Sequence, residues 1–249
     1  MLENINGFIK IKTMLIGEIV QRIQSLYSRG VESDDTRLMQ RHIYNKLLTT
    51  RARLISEQAK KKQRVSQWNY QTISCIELIK VPAHECPCLP PIGCDMLRSK
   101  YKLPKPLSGL SGSLIQTVTT IDRGKKLNEV SINAVKSLSG NKYSAKNINY
   151  FIEEGFLYIT TPSKIEFVRL IGLFEDPIKA KQFEGFCKEN CLDCTDCIDY
   201  QEEEFPIDND MVDTLVELTV QELVILFGQS VQDETNDSSD NASNNRRKQ

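Results

Sequence analysis

The period of the hydrophobic pattern changes at Trp68, and that change limits what this chain can fold into more than any other feature of it. Before it, apolar residues recur at three and four, first as Ile16, Ile19, Val20, Ile23, Leu26 and Tyr27. The same spacing returns as Leu38, Ile43, Leu47 and Leu54 beside Tyr44, Leu48, Ala52, Ile55 and Ala59. Those are the faces of amphipathic helices. From Trp68 to about Phe174 the signals are short, rich in Val, Ile, Thr and aromatics, and bounded by turn residues, which is how half-buried strands read. Helical spacing resumes at Pro177, a residue suited to a first helical position. Blocks of helix, strand and helix, as opposed to strict alternation, imply an α+β protein: an N-terminal helical hairpin with a long second helix, a central antiparallel β region with extended loops, and a C-terminal helix before a low-complexity tail.

The expected elements follow in order. A first helix runs from Leu15 to a glycine stop at Gly30. Ser33, with Asp34 and Asp35 behind it, caps a second helix over Asp34 to Lys62, roughly 40 Å long at 1.5 Å per residue. A helix of that length packs along a neighbour. Strands are expected over Tyr70–Val81, Leu114–Ile121 and Ile165–Phe174, with a turn at Asp122-Arg123-Gly124. The clearest hairpin is Tyr150 to Ile159 around Glu153-Glu154-Gly155. Between the first two strands, Pro82, Pro87, Pro90, Pro91, Pro104 and Pro106 predict an extended loop without regular structure over Val81–Leu107. Ser108–Ser113 reads as a turn or flexible loop. A short helix covers Ile178–Phe186, and a last one runs from Asp208 to Gly228. The domain reading is an extension over residues 1–13, ahead of Met14, then a single domain over 14–228 and a low-complexity tail over 229–249. Within the domain, 14–65 is helical, 68–174 β-rich and 177–228 helical with a cysteine cluster. The tail's Ser, Asn, Asp and Gln residues cannot bury enough apolar area to fold alone, so it orders only on a partner.

Charge narrows the functional classes once it is resolved by segment. The whole chain of 249 residues has a formal net charge of −1. Residues 1–67 carry 13 basic and 6 acidic side chains, whereas residues 175–240 carry 3 basic and 19 acidic ones. A basic front and an acidic back suit subunits that meet through unlike faces. The polar face of the second helix holds Arg37, Arg41, Lys46, Arg51, Arg53, Lys60, Lys61, Lys62 and Arg64, which reads as a partner-binding stripe, a phosphate-binding stripe or a solvated face.

Catalytic chemistry is hard to assemble from this sequence. It has 2 histidines, His42 and His84, neither in a nucleophile or metalloprotease motif, and it lacks a phosphate-binding glycine loop. The longest aliphatic run, Leu223 to Phe227, falls far short of the ~20 residues that cross a bilayer. No secretory leader is evident in the first stretch, which places the 8 cysteines in a reducing compartment. Cys86, Cys88 and Cys94 form one cluster, and Cys187, Cys191, Cys194 and Cys197 a second. Together they offer enough thiolates for a structural zinc site, and the spacing of the second cluster loosely resembles an iron–sulfur run without its usual order or following proline; free or buried thiols are the plainer reading. Cys75 reads as a core residue. A zinc-containing nucleic-acid-binding protein using the helix of residues 34–64 is the main alternative class.

Several stretches nonetheless resemble one family. These are Ile16 to Gly30, Ser33-Asp34-Asp35, Arg41 to Lys46, Ser66 to Tyr70, Cys86 to Cys94 and Leu173 to Pro177. Together they resemble a structural protein of crAss-like bacteriophages. The resemblance implies a non-enzymatic ring protein of the virion, at the junction of head and tail and assembled in the host bacterial cytoplasm. It further implies the first, portal-proximal ring, twelve copies, the portal, other ring proteins and tail barrel components as partners, and DNA passing through the channel without sequence-specific contacts. No membrane is implied. On that reading the basic helix, Arg37 to Arg64, faces either the acidic stretch Glu202 to Asp213 of an adjacent subunit or an acidic surface of the portal.

Overall fold

Ile16, Ile19, Val20 and Ile23 lie on one face of a helix, and all four are buried. They belong to a computed structural model that describes residues 14–28, 38–82, 95–109, 112–135, 147–160, 164–185 and 200–227. Its helices are α1 (Ile16–Tyr27), α2 (Gln40–Lys60), α3 (Pro177–Gly185) and α4 (Asn209–Phe227). At the start of α1 the Leu15 N–H donates to the Glu18 carboxylate at 3.2 Å, the reach-back half of a capping box. The helix ends at Ser28, whose N–H donates to the Gln24 carbonyl at 2.9 Å. Gly30 and the caps expected at Ser33 to Asp35 lie outside the described residues. Helix α2 starts after the extended Met39, later than the pattern implied, and spans about 32 Å.

The N-terminal helices do not close on each other as a self-contained hairpin. Helix α4 packs against both, and α1 and α2 touch each other less. The reason lies in what each face needs covered. Val212, Leu215, Val216 and Leu223 of α4 are buried, and they complete one core with Ile16, Ile19, Ile23, Ile43 and Leu47. Phe205 and Ile207, on the approach to α4, plug the same core. Gly17 allows a close approach here, because a Cβ at that position would sit 2.9 Å from the Gln201 carbonyl oxygen.

The strands are β1 (Gln71–Pro82), β2 (Asp95–Ser99), β3 (Ser108–Gly109), β4 (Gly112–Ser113), β5 (Ile115–Thr120), β6 (Lys126–Glu129), β7 (Asn149–Glu153), β8 (Phe156–Ile159) and β9 (Phe167–Gly172). Seven of them close into a barrel in the order β1-β2-β8-β7-β6-β5-β9, while β3 and β4 form a separate small ladder. The sheet is mixed and not wholly antiparallel as expected: β6 and β7 run parallel, with Asn128 opposite Asn149 and Glu129 opposite Tyr150. Closure leaves the barrel without exposed edges. The long strand β1 makes it possible, because it pairs with β9 over Gln71–Glu77 and with β2 over Leu78–Pro82, and an irregularity between Ile73 and Ile76 lets it bend. Inside lie Ile73, Ile76, Leu97, Val118, Leu127, Leu157, Ile159, Val168 and Leu170. The hairpin expected at Glu154-Gly155 is present, both residues having positive φ.

Two segments expected to be irregular are paired. Residues 95–99, placed by sequence in the proline loop, form β2 between β1 and β8. Pro91 and Pro104 bracket a proline-free stretch long enough for a strand, and its Met96 and Leu97 are buried. The Gly-Ser stretch pairs Ser108 with Ser113 and Gly109 with Gly112.

Candidate assembly interface

Among the basic residues that sequence placed on the polar face of α2, one is wholly buried by the fold. Arg51 has no exposed surface. Its guanidinium donates from Nε to the Pro206 carbonyl at 3.0 Å, from Nη1 to the Phe174 carbonyl at 2.9 Å and from Nη2 to the Asn69 carbonyl at 3.3 Å. It also lies over the Phe205 ring, 5.6 Å from the centroid. Those partners come from the 3-10 turn ahead of β1, from the chain leaving β9 and from the approach to α4. One fork thus ties the helical layer to the barrel, aided by Ile55 of α2 packing with Leu107 and Leu173. Asn69, itself buried, extends the tie by accepting the Asp208 N–H at 2.7 Å through its side-chain oxygen.

Burial pushes the Arg51 guanidinium down to about 10, against the opposing pull of Tyr44 and Asp176. The Tyr44 hydroxyl donates to Asp176, whose carboxylate also caps α3 by accepting the Ile178 N–H at 3.0 Å. Burial first, and then the Asp176 charge, raises the Tyr44 phenol well above its ordinary range; burial and Glu129 do the same to Tyr150. An acid raised in the folded state adds stability that is whole below its unfolded value of about 10 and is lost as pH climbs through the folded value. Arg51 acts in the opposite sense over part of that range, since the folded chain releases its proton first. Two phenols oppose one guanidinium. The urea midpoint is therefore expected to fall as pH rises above about 10, and Tyr150→Phe to flatten the fall. Parallel curves for the two proteins would count against this assignment.

The rest of the basic stripe divides in two. Lys46 and Arg53 both pair with Glu222 of α4, whose carboxyl is held below its ordinary range mainly by the hydrogen bond from Lys46. Arg22 of α1 pairs with Asp213 at 2.7 Å, and Lys181 of α3 with Glu203. Part of the complementarity expected between subunits is thus satisfied within one chain. Arg41, Lys60, Lys61, Lys62 and Arg64 are exposed, and Arg37 lies outside the described residues. His42 is exposed on α2, its ring 5.8 Å from that of Phe227. Cys75 is half-buried in the irregular part of β1, not a core residue. Cys86, Cys88, Cys94, Cys187, Cys191, Cys194 and Cys197 lie outside the described residues, as does His84. Among the described residues no group of three or more His, Cys, Asp or Glu side chains converges as a metal site requires, and no helix is long and apolar enough to cross a membrane.

What sequence reasoning did not single out is an apolar surface at one end of the helical layer. Val224, Ile225, Leu226 and Phe227 end α4 exposed, Ile225 at 82 %. The Tyr27 hydroxyl donates to the Phe227 carbonyl at 3.2 Å, which brings the end of α1 and its exposed Leu26 to the same place. Met39, 69 % exposed, stands one helical turn before His42. The signal was present in the sequence as the aliphatic run 223–227, only one residue of which α4 can turn inward.

A mixed seven-stranded barrel tied to a helical layer, with a cluster of apolar side chains exposed at one end, fits the class of proteins that assemble through such surfaces. Comparison with known proteins agrees with that class. The family model of phage tail ring protein 2, from crAss-like phages, matches residues 18–242, and the chain belongs to that family. It is also 29 % identical over 201 residues, 78 % of this chain and 84 % of the relative, to Ring protein 2 of Bacteroides phage crAss001. Both matches replace the expected ring 1 with ring 2, so the portal-proximal placement is withdrawn.

Proposed function

We propose that this chain is a non-enzymatic structural subunit of a phage virion, copies of which close into a ring within the stack that joins the portal to the tail. The match to the ring protein 2 family across residues 18–242 carries the reading. Twelve copies surround the axis, other ring proteins and tail barrel components lie above and below, and the portal is reached through the stack. The genome passes through the channel without sequence-specific contacts. The protein resides in the tail and assembles in the host bacterial cytoplasm. The exposed basic residues Arg41, Lys60, Lys61, Lys62 and Arg64 serve contacts between proteins. Support for this over a nucleic-acid stripe comes from Lys46, Arg51 and Arg53, which are occupied inside the chain.

Imaging the chain co-produced with the other tail proteins of its phage tests the proposal. A stacked ring of fixed symmetry containing this chain is the expected result. Persistent monomers, together with its absence from purified particles by mass spectrometry, would overturn it.

A further inference from the structure

We propose that adjacent copies join head to tail through two specific surfaces of this chain: the apolar end formed by Leu26, Met39, Ile225, Leu226 and Phe227, and the basic turn Lys60–Arg64 with Trp68. The inference rests on the ring reading and names the contact that closes the ring.

A ring needs a heterologous contact, in which one patch of a subunit meets a different patch of the next. The chain carries two candidates, far apart. The apolar end lies at the start of α2, whereas the basic turn lies just beyond its last residue, roughly 33 Å from Met39 along the axis. Lys60, Lys61, Lys62 and Arg64 are all exposed there, and Lys62 turns the chain with a φ of 54°. Trp68, the single tryptophan, follows at 52 % exposure. Tryptophan and arginine are among the residues most enriched at the anchors of protein contacts, and here an exposed tryptophan follows Arg64 by four residues in the sequence.

Charge selects the second copy as the occupant. The chain leaving the apolar end at Phe227 continues directly into a stretch whose charged residues, Asp233, Glu234, Asp237 and Asp240, are all acidic. The 13 residues 228–240 reach up to ~45 Å when extended, enough to lie along a neighbouring subunit. An apolar plug followed by an acidic strap therefore matches an exposed tryptophan flanked by a basic turn. Lys46 and Arg53 are already paired with Glu222 across α2 and α4, so the acidic strap's complement is the basic cluster beyond them.

The test uses full-length chain assembled with the other tail proteins, carrying Ile225→p-benzoylphenylalanine, with isotopically heavy and light copies mixed. Light-induced links from position 225 to the peptide Val65–Lys80 of a different copy are expected. The mixed labels separate a link between copies, which joins one heavy and one light peptide, from a link within one copy. Links only to other tail proteins, or to another segment of the neighbour, would overturn the proposal while leaving the ring reading intact. Failure of the unmodified chain to form rings would remove both. In a second arm, the triple change Lys60→Glu, Lys61→Glu, Lys62→Glu is expected to reduce ring yield about ten-fold or more. Combining it with Asp233→Lys, Glu234→Lys and Asp237→Lys should restore yield. Undiminished rings from the triple variant would also overturn the proposal.

Discussion

Arg51→Ala is expected to lower the free energy of unfolding by about 3–5 kcal/mol, seen as a large drop in the urea midpoint. The side chain has no exposed surface and its fork reaches three carbonyls, those of Asn69, Phe174 and Pro206. Truncation leaves those acceptors without their donor in a site that water does not reach, and a buried group in that state costs about 1–3 kcal/mol. It also opens a cavity against Phe205, which the guanidinium covers. Part of this is offset, because burying the cation is itself costly; its lowered pKa records that cost. Arg51→Lys separates charge from geometry. An ammonium keeps the cation but cannot span three acceptors supplied by three segments, so it should recover less than half of the loss. A loss under about 1 kcal/mol for the alanine variant would mean that the fork does not hold the two layers together.

Arg51 also marks where the sequence stopped being legible. A basic residue among eight others on one helix reads as surface, and its burial depends on carbonyls contributed from residues 69, 174 and 206, which no local pattern can announce. Strand β2 was hidden for a related reason. The prolines on both sides dominate the local signal, while the partners that make residues 95–99 a strand are β1 and β8. Where the information is local, the reading was close. The period-3.6 face of α1, the positive-φ turn at Glu154-Gly155 and the Pro177 start of α3 all stand as expected. The apolar end of α4 was visible as a run but not as a surface, since exposure depends on which side α1 and α2 cover. Family membership was legible from stretches such as Ile16–Gly30, but the ring number was not. Position in a stack depends on surfaces matched to neighbours, and periodicity does not encode them.

Leu170→Ala is expected to cost about 2–5 kcal/mol, and its effect should reach the helices as fully as the barrel. Leu170 is wholly buried on β9, paired with Ile73 of β1 on one side and Val118 of β5 on the other, so the three side chains form a closed row across the barrel wall. Neither neighbour can move inward without breaking its own ladder, which keeps the cavity from collapsing and places the cost in the upper part of that range. Beyond Gly172 the same strand leads to Leu173, packed against Ile55 of α2, and to Phe174, whose carbonyl holds Arg51. Loosening β9 therefore loosens the support of the helical layer. If residues 14–228 behave as one domain, helical circular dichroism and the fluorescence of Trp68 must shift to lower urea together, with coincident transitions. A variant whose fluorescence transition moves while the helical one stays would show two separately stable units, and would leave the Arg51 fork as a contact between domains and not as the tie within one.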